Sequence, residues 1–212
     1  MTSKTPRYEH IGIHFEPPAM YVSPMEGYGA QLATIHTTAP FPDADAFSYT
    51  LNGIEGPVPN VKLFFFHQGG GVRVEPEFIE SYDGPWPAQL EVIYSKNGKP
   101  ADLGRLPLLN PLTAVAAYMR IAMSGSPCVI PQDDWPGRVA VNPHVYDANH
   151  IPITYMHGVE VQLLDHDSGI AQNRESFSIY SNATPGDYRV RITTIWGLEE
   201  TVTFTLVSGA PI

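Results

Sequence analysis

The sequence predicts a mainly β protein made of antiparallel sandwiches, and three observations carry that expectation. The first is the stretch TPGDYRVRITTIWGLEETVTFTLV at 184–207. There Tyr188, Val190 and Ile192 alternate with Arg189, Arg191 and Thr193, and after Trp196-Gly197 Val202, Phe204 and Leu206 alternate with Thr201, Thr203 and Thr205. Alternation with a period of two on both arms of a short turn describes a hairpin with one buried face and one wet face. The second is the supply of chain breakers, 21 prolines and 18 glycines in 212 residues, which suits many short strands better than long helices. The third is the spacing of apolar runs, which recur about every 8–12 residues between Asn, Asp, Gly and Pro clusters, as in sandwiches and barrels.

Taken from the N-terminus, residues 1–16 begin polar and then offer Ile11, Ile13 and Phe15. They read as an N-terminal arm whose three apolar side chains anchor on a partner. Residues 17–108 offer strands at Ala19–Val22, Gln31–Thr37, Phe47–Leu51, Val61–His67, Val72–Glu75 and Gln89–Tyr94. Asn52-Gly53 and Asn97-Gly98 are strong turn signals, because both residue types tolerate positive φ. Phe64-Phe65-Phe66 does not alternate, which suits a strand covered on both faces or an edge facing a partner.

One helix is expected, over Pro111–Met123. Asn110 can cap it, Pro111 suits its first turn, and Leu112, Val115, Ala116, Met119 and Met123 recur at helical spacing. Gly125 would end it, and the Pro- and Asp-bearing stretch 125–136 reads as a linker.

Residues 137–212 read as a compact β domain. Its strands are Gly137 onward through RVAVNPHVY, His157–Leu164 with Val159, Val161 and Leu163 inward, Ser176–Tyr180 with Phe177 and Ile179 inward, and the two closing arms. A faint internal echo lays PAQLEVIYSKNGKPADLGRLPL (87–108) on PGDYRVRITTIWGLEETVTFTL (185–206), which suggests two similar sandwiches in tandem. A single nine- or ten-stranded sandwich with an inserted helix is the competing arrangement.

The segment PGDYRVRITTIWGLEETVTFTLV resembles the last two strands of bacterial and viral immunoglobulin-like domains. The resemblance implies that Tyr188 is a tyrosine corner, its hydroxyl bonded to nearby backbone. It also implies membership of the disulfide-free branch, since the Cys-Trp-Cys core is absent. The fold expected is therefore tandem immunoglobulin-like antiparallel β-sandwiches with one short helix in the connection. The boundaries expected are 1–16 arm, 17–124 first sandwich, 125–136 linker and 137–212 second sandwich.

Charge and cysteine content narrow the functions. Twenty-two acidic residues against 12 basic give a net charge of −10, which repels nucleic acid on average. The lone Cys128 allows no intrachain disulfide and suits a reducing compartment. MTSKTPRYEHIGIHF has no apolar core of a signal peptide, and no apolar run is long enough for a transmembrane helix.

Candidate chemistry is thin. His10 and His14 share an i, i+4 spacing without a third ligand nearby. Asp165-His166-Asp167-Ser168-Gly169 resembles the start of a calcium loop, but the twelfth position is Ser176 rather than Glu, so a turn is the better reading. Ser124-Gly125-Ser126 and Gly69-Gly70-Gly71 match no nucleophile or phosphate motif. Acidic pairs such as Asp133-Asp134 and Glu199-Glu200 sit in surface-like contexts. No catalytic, metal or cofactor residue is expected.

Trp86 and Trp135 stand beside Asp, Gly and Pro in predicted loops. Such residues suit protein contacts or sugar stacking, or they plug the ends of a sandwich. Disulfide-free modules of the resembled kind are frequent on bacteriophage particles. The function expected is thus a non-enzymatic capsid decoration or head or tail accessory, made in the host cytoplasm and carried on the virion. Its partners would be capsid or tail proteins and further copies of itself. The alternative is a carbohydrate-binding or adhesin module with a glycan partner.

Overall fold

The computed structural model describes residues 13–22, 33–36, 46–55, 61–68, 71–78, 84–153 and 158–209. Their regular secondary structure is almost entirely strand. The chain divides into two compact units, Met1–Ala114 with Asn149–Thr154, and Val115–Ala148 with Tyr155–Ile212.

The first unit contains β1 (His14–Glu16), β2 (Met20–Tyr21), β3 (Ala33–His36), β4 (Phe47–Leu51), β5 (Ile54–Glu55), β6 (Val61–Gln68), β7 (Gly71–Phe78), β8 (Ala88–Lys96) and β9 (Lys99–Leu109). One sheet runs β1-β3-β7-β6 and the other β2-β9-β8-β4-β5. The β2–β9 pair is parallel, and the other pairs of this unit are antiparallel. Asn52 and Gly53 (φ 50° and 80°) and Asn97 and Gly98 (φ 54° and 71°) make the two tight turns foreseen. Both residues of each turn need positive φ, which Asn and Gly bear at least cost. Met20, Leu51, Leu90, Leu106 and Leu108 are completely buried between the sheets. Each contributes roughly 1.5–3 kcal/mol of apolar burial.

The second unit contains β10 (Tyr118–Ser124), β11 (Cys128–Val129), β12 (Gly137–Tyr146), β14 (Val159–Leu163), β15 (Ile170–Asn173), β16 (Ser176–Ile179), β17 (Gly186–Thr194) and β18 (Glu199–Val207); a short β13 (Pro152–Ile153) precedes β14 in the chain. Its sheets run β10-β12-β16-β15 and β11-β18-β17-β14, with β11 parallel to β18. Phe177, Ile179, Val190, Ile192, Phe204 and Leu206 fill its core.

The two units share one immunoglobulin-like strand plan. In each, the first strand opens one sheet and a two-residue strand then crosses to pair in parallel with the last strand of the other. The echo noted in the sequence is the closing hairpin of each unit. Ala88↔Leu108, Leu90↔Leu106 and Val92↔Gly104 in one correspond to Gly186↔Leu206, Tyr188↔Phe204 and Val190↔Val202 in the other, without a slip.

Three expectations need correction. The helix over Pro111–Met123 is a single 3₁₀ turn at Pro111–Thr113, followed by β10. The cap is real: Asn110 Oδ1 accepts from Leu112 N–H at 2.9 Å. But Met119, Ile121 and Met123 also fit a period of two, and pairing with β12 turns them onto the core. The stretch 125–136 is not a linker between domains, because Cys128–Val129 pairs with β18 and Ile130 is buried, so the division falls near Ala114. Residues 13–16 are not a free arm. Ile13 and Phe15 are core residues, and β1 pairs with β3.

Gly104 explains that last correction. A Cβ there would lie 2.4 Å from Ile13 Cγ2 and 2.9 Å from Phe15 Cε2. The missing side chain is the space those two residues occupy. Ile11 lies outside the described residues, as do the side chains of Phe64, Phe65 and Phe66.

Candidate interaction surface

The register of the second unit gathers three connections at one end of its sandwich. The β11–β12 connection, the β14–β15 turn and the β16–β17 turn all lie where β12 and β17 start and β18 finishes. The chain enters the unit at the other end, at Tyr118, opposite Tyr146 at the close of β12. The gathered end carries Trp135, Val129, Leu164, Tyr180 and Val207, all exposed. Trp135 is the most open of them at 81% and Val129 follows at 57%. These exposed apolar side chains share that end with Asp133, Asp134, Asp165 and His166, which makes it the candidate contact surface.

A polar brace holds this end rigid. Tyr188 is buried near the start of β17, and its hydroxyl proton is divided between the Thr184 carbonyl at 2.8 Å and Asp167 Oδ2 at 3.0 Å. That is the tyrosine corner implied by the resemblance. Asp167 also accepts from Gly169 N–H at 2.7 Å and Thr184 N–H at 3.3 Å. These bonds, that of Gly169 first, hold its carboxyl below the usual carboxylate range. Tyr188 is pushed the other way, chiefly by burial and then by the Asp167 carboxylate.

Asp165 is clamped by Arg189, whose Nη2 donates to Oδ1 at 2.7 Å and whose Nε and backbone N–H both donate to Oδ2, at 3.0 and 2.8 Å. Side-chain bonding from Arg189 is the largest cause of the Asp165 pKa falling to about 2. Both aspartates are therefore anions at neutral pH that serve as acceptors within a turn. This is the turn reading of 165–169, and their lone pairs are engaged by the chain itself.

The other candidates are placed as follows. Trp135 N–H donates to Asp133 Oδ1 at 3.1 Å, which shapes the loop and leaves the indole exposed. Trp86 is half-buried and packs against the first unit's core, so it belongs to the interior reading rather than to an open platform. His14 stacks on His36 at 4.7 Å between ring centres, and Glu16 lies 3.3 Å from His36 Nε2, while His10 is outside the described residues. Among the described residues, no three His, Cys, Asp or Glu side chains are grouped to hold a metal. Cys128 is buried, and burial pushes its thiol pKa up, which keeps it protonated and inert. No helix among the described residues is long and apolar enough to cross a membrane.

Sequence reasoning missed Val129, Leu164, Tyr180 and Val207. Leu164, Tyr180 and Val207 lie in or beside correctly read strands and turns, whereas Val129 lies in β11, within the stretch read as a linker; the register that brings all four to one end is set by long-range pairing.

No family model and no curated protein matches the chain. Among solved structures it is similar to the tandem Ig repeats of Dlar, at 13% identity and a TM-score of 0.34, over 90% of this chain and 92% of that one. It is also similar to the N-terminal Ig1-2 module of Drosophila receptor protein tyrosine phosphatase DLAR, at 12% identity and a TM-score of 0.34, over 91% and 95%. Domains 5-6 of the S-layer protein SbsC match at 10% identity and a TM-score of 0.33, over 98% of each chain. The strand order, not these distant likenesses, establishes the tandem immunoglobulin-like fold.

Proposed function

We propose that this chain is a non-enzymatic interaction protein that acts through the surfaces of two immunoglobulin-like sandwiches. The setting we propose is a bacteriophage particle, where it serves as a capsid decoration or a head or tail accessory in many copies. The observation that carries the contact reading is the apolar-tipped end of the second unit, with Trp135 at 81% exposure on a braced scaffold. An aromatic side chain held open on a rigid end loses little entropy when a partner covers it. The acidic charge of the chain and the disulfide-free modules it resembles favour the particle setting.

The test is co-assembly with the capsid and tail proteins encoded beside its gene, comparing the natural chain with Trp135→Ala. Capture by one of them, reduced at least tenfold in Trp135→Ala with unchanged melting, supports the reading. Full capture by Trp135→Ala removes this end as the contact. The neighbouring Asp133 and Asp134 favour a second reading, stacking and hydrogen bonding of a sugar. Glycan-array binding lost in Trp135→Ala, with no capture by particle proteins, selects that one.

A further inference from the structure

We propose that the β14 edge is a strand-pairing surface for a second copy of this chain, and that the Gln172 side chain holds it shut. Among the described residues, β14 ends its sheet and pairs only with β17. Ile195 N–H donates to Gly158 C=O and Leu164 N–H donates to Arg189 C=O, so the even-numbered residues bond toward β17. By the alternation of an antiparallel strand, the backbone groups of Val159, Val161 and Leu163 face outward. An open row of that kind is a template for another strand.

Gln172, on β15 of the opposite sheet, reaches across to that row. Its Nε2 donates to the Val161 carbonyl at 2.6 Å and its Oε1 accepts from Leu163 N–H at 3.0 Å. The same Nε2 also lies 3.1 Å from the Arg174 carbonyl. One carboxamide thus supplies the donor and the acceptor that a neighbouring strand would present. In the first unit the corresponding strand, β4, is paired over its last two residues, Thr50 and Leu51, by a short strand, β5, formed at the Asn52-Gly53 turn. In the second unit a side chain meets the edge instead, slightly earlier along the strand, at Val161 and Leu163.

The sequence of β14 is self-complementary. A twofold axis through Val161 sets Val159 opposite Leu163 on the half-buried face and Glu160 opposite Gln162 on the outer face. No like charges meet directly. Arg191, bonded to Gln162, extends the outer row toward the incoming Glu160 of the second copy. This inference uses a different surface from the proposed function and does not depend on it.

Amide hydrogen exchange and light scattering test it together. In the natural chain, Leu163 N–H exchanges at least tenfold more slowly than Val161 N–H, although both face outward. Gln172→Ala abolishes that difference and yields a dimer whose fraction rises with concentration. Adding Gln162→Glu sets Glu against Glu twice across the axis and weakens the dimer several-fold, while its own pairing with Arg191 preserves the monomer. If the alanine variant does not fold, Gln172→Asn replaces it, being too short to span both backbone groups. Equal exchange at Leu163 and Val161 in the natural chain overturns the latch. A variant that stays monomeric to millimolar concentration, or a dimer indifferent to Gln162→Glu, overturns the pairing surface.

Discussion

The two sandwiches follow one strand plan and hold it together differently. Where the second unit buries Tyr188 and ties its hydroxyl to Thr184 and Asp167, the first buries Leu90 at the same register position. Where the second has Val202, the first has Gly104 and fills the space with Ile13 and Phe15 from the start of its own chain. The second unit stiffens one end by polar bonds and leaves apolar side chains exposed there. The first recruits its N-terminal strand into the core. A shared register therefore specifies the plan, while side-chain choice at matched positions decides which parts are braced and which are left exposed.

Core truncation should have the largest effect and should strike the units separately. Phe204→Ala is expected to cost about 3–5 kcal/mol and Leu106→Ala about 2–5 kcal/mol. Urea unfolding followed by residue-resolved exchange should show each loss confined to its own unit. A single shared transition for both variants would mean that the units do not unfold independently.

Next comes the exchange of packing solutions. Gly104→Val copies the second unit's residue into the first and drives a side chain into Ile13 and Phe15. About 1–3 kcal/mol should be lost through overpacking, with β1 amides deprotected first. Unchanged protection of β1 would show that Ile13 and Phe15 can move aside freely.

Removing the corner hydroxyl is smaller. Tyr188→Phe should cost about 1–2 kcal/mol, because the buried ring stays and only the bonds to Thr184 and Asp167 are lost. Equal stability of Tyr188→Phe and the natural chain would reduce the corner to packing.

Acid should separate the units with the least effect per site. Asp165 titrates near 2 when folded against 3.8 ordinarily, and Asp167 is also lowered. A depressed carboxyl contributes stability that is fully present above about pH 4 and is lost as pH falls toward 2. The second unit's urea midpoint should therefore drop over that window, and Asp165→Asn should flatten the drop. An acid limb unchanged by Asp165→Asn would place its cause elsewhere.

Much of this molecule was legible along the chain. Phe47–Leu51 was located to the residue, the Asn-Gly turns were unambiguous, and the alternation of 186–207 told which side chains enter the core. Those features are local: period-two burial and positive-φ turns are written in neighbouring residues. Tyr118–Ser124 was misread because Met119 and Met123 satisfy both a helix and a strand, and only β12 chooses between them. Ile13 and Phe15 looked like free anchors because nothing nearby in sequence reveals that Gly104, some ninety residues on, leaves room for them.

Local patterning was enough to determine a mainly β chain with a repeated closing hairpin, and the resemblance of 185–207 to immunoglobulin-like closing strands implied the corner tyrosine. Long-range pairing alone decided where the units divide, that Trp135 shares an end with Val129, Leu164, Tyr180 and Val207, and that Gln172 sits on the edge of β14. The physical reason is that side-chain direction follows from neighbours two residues away, whereas proximity across a sandwich depends on strand order and register, which distant segments set together.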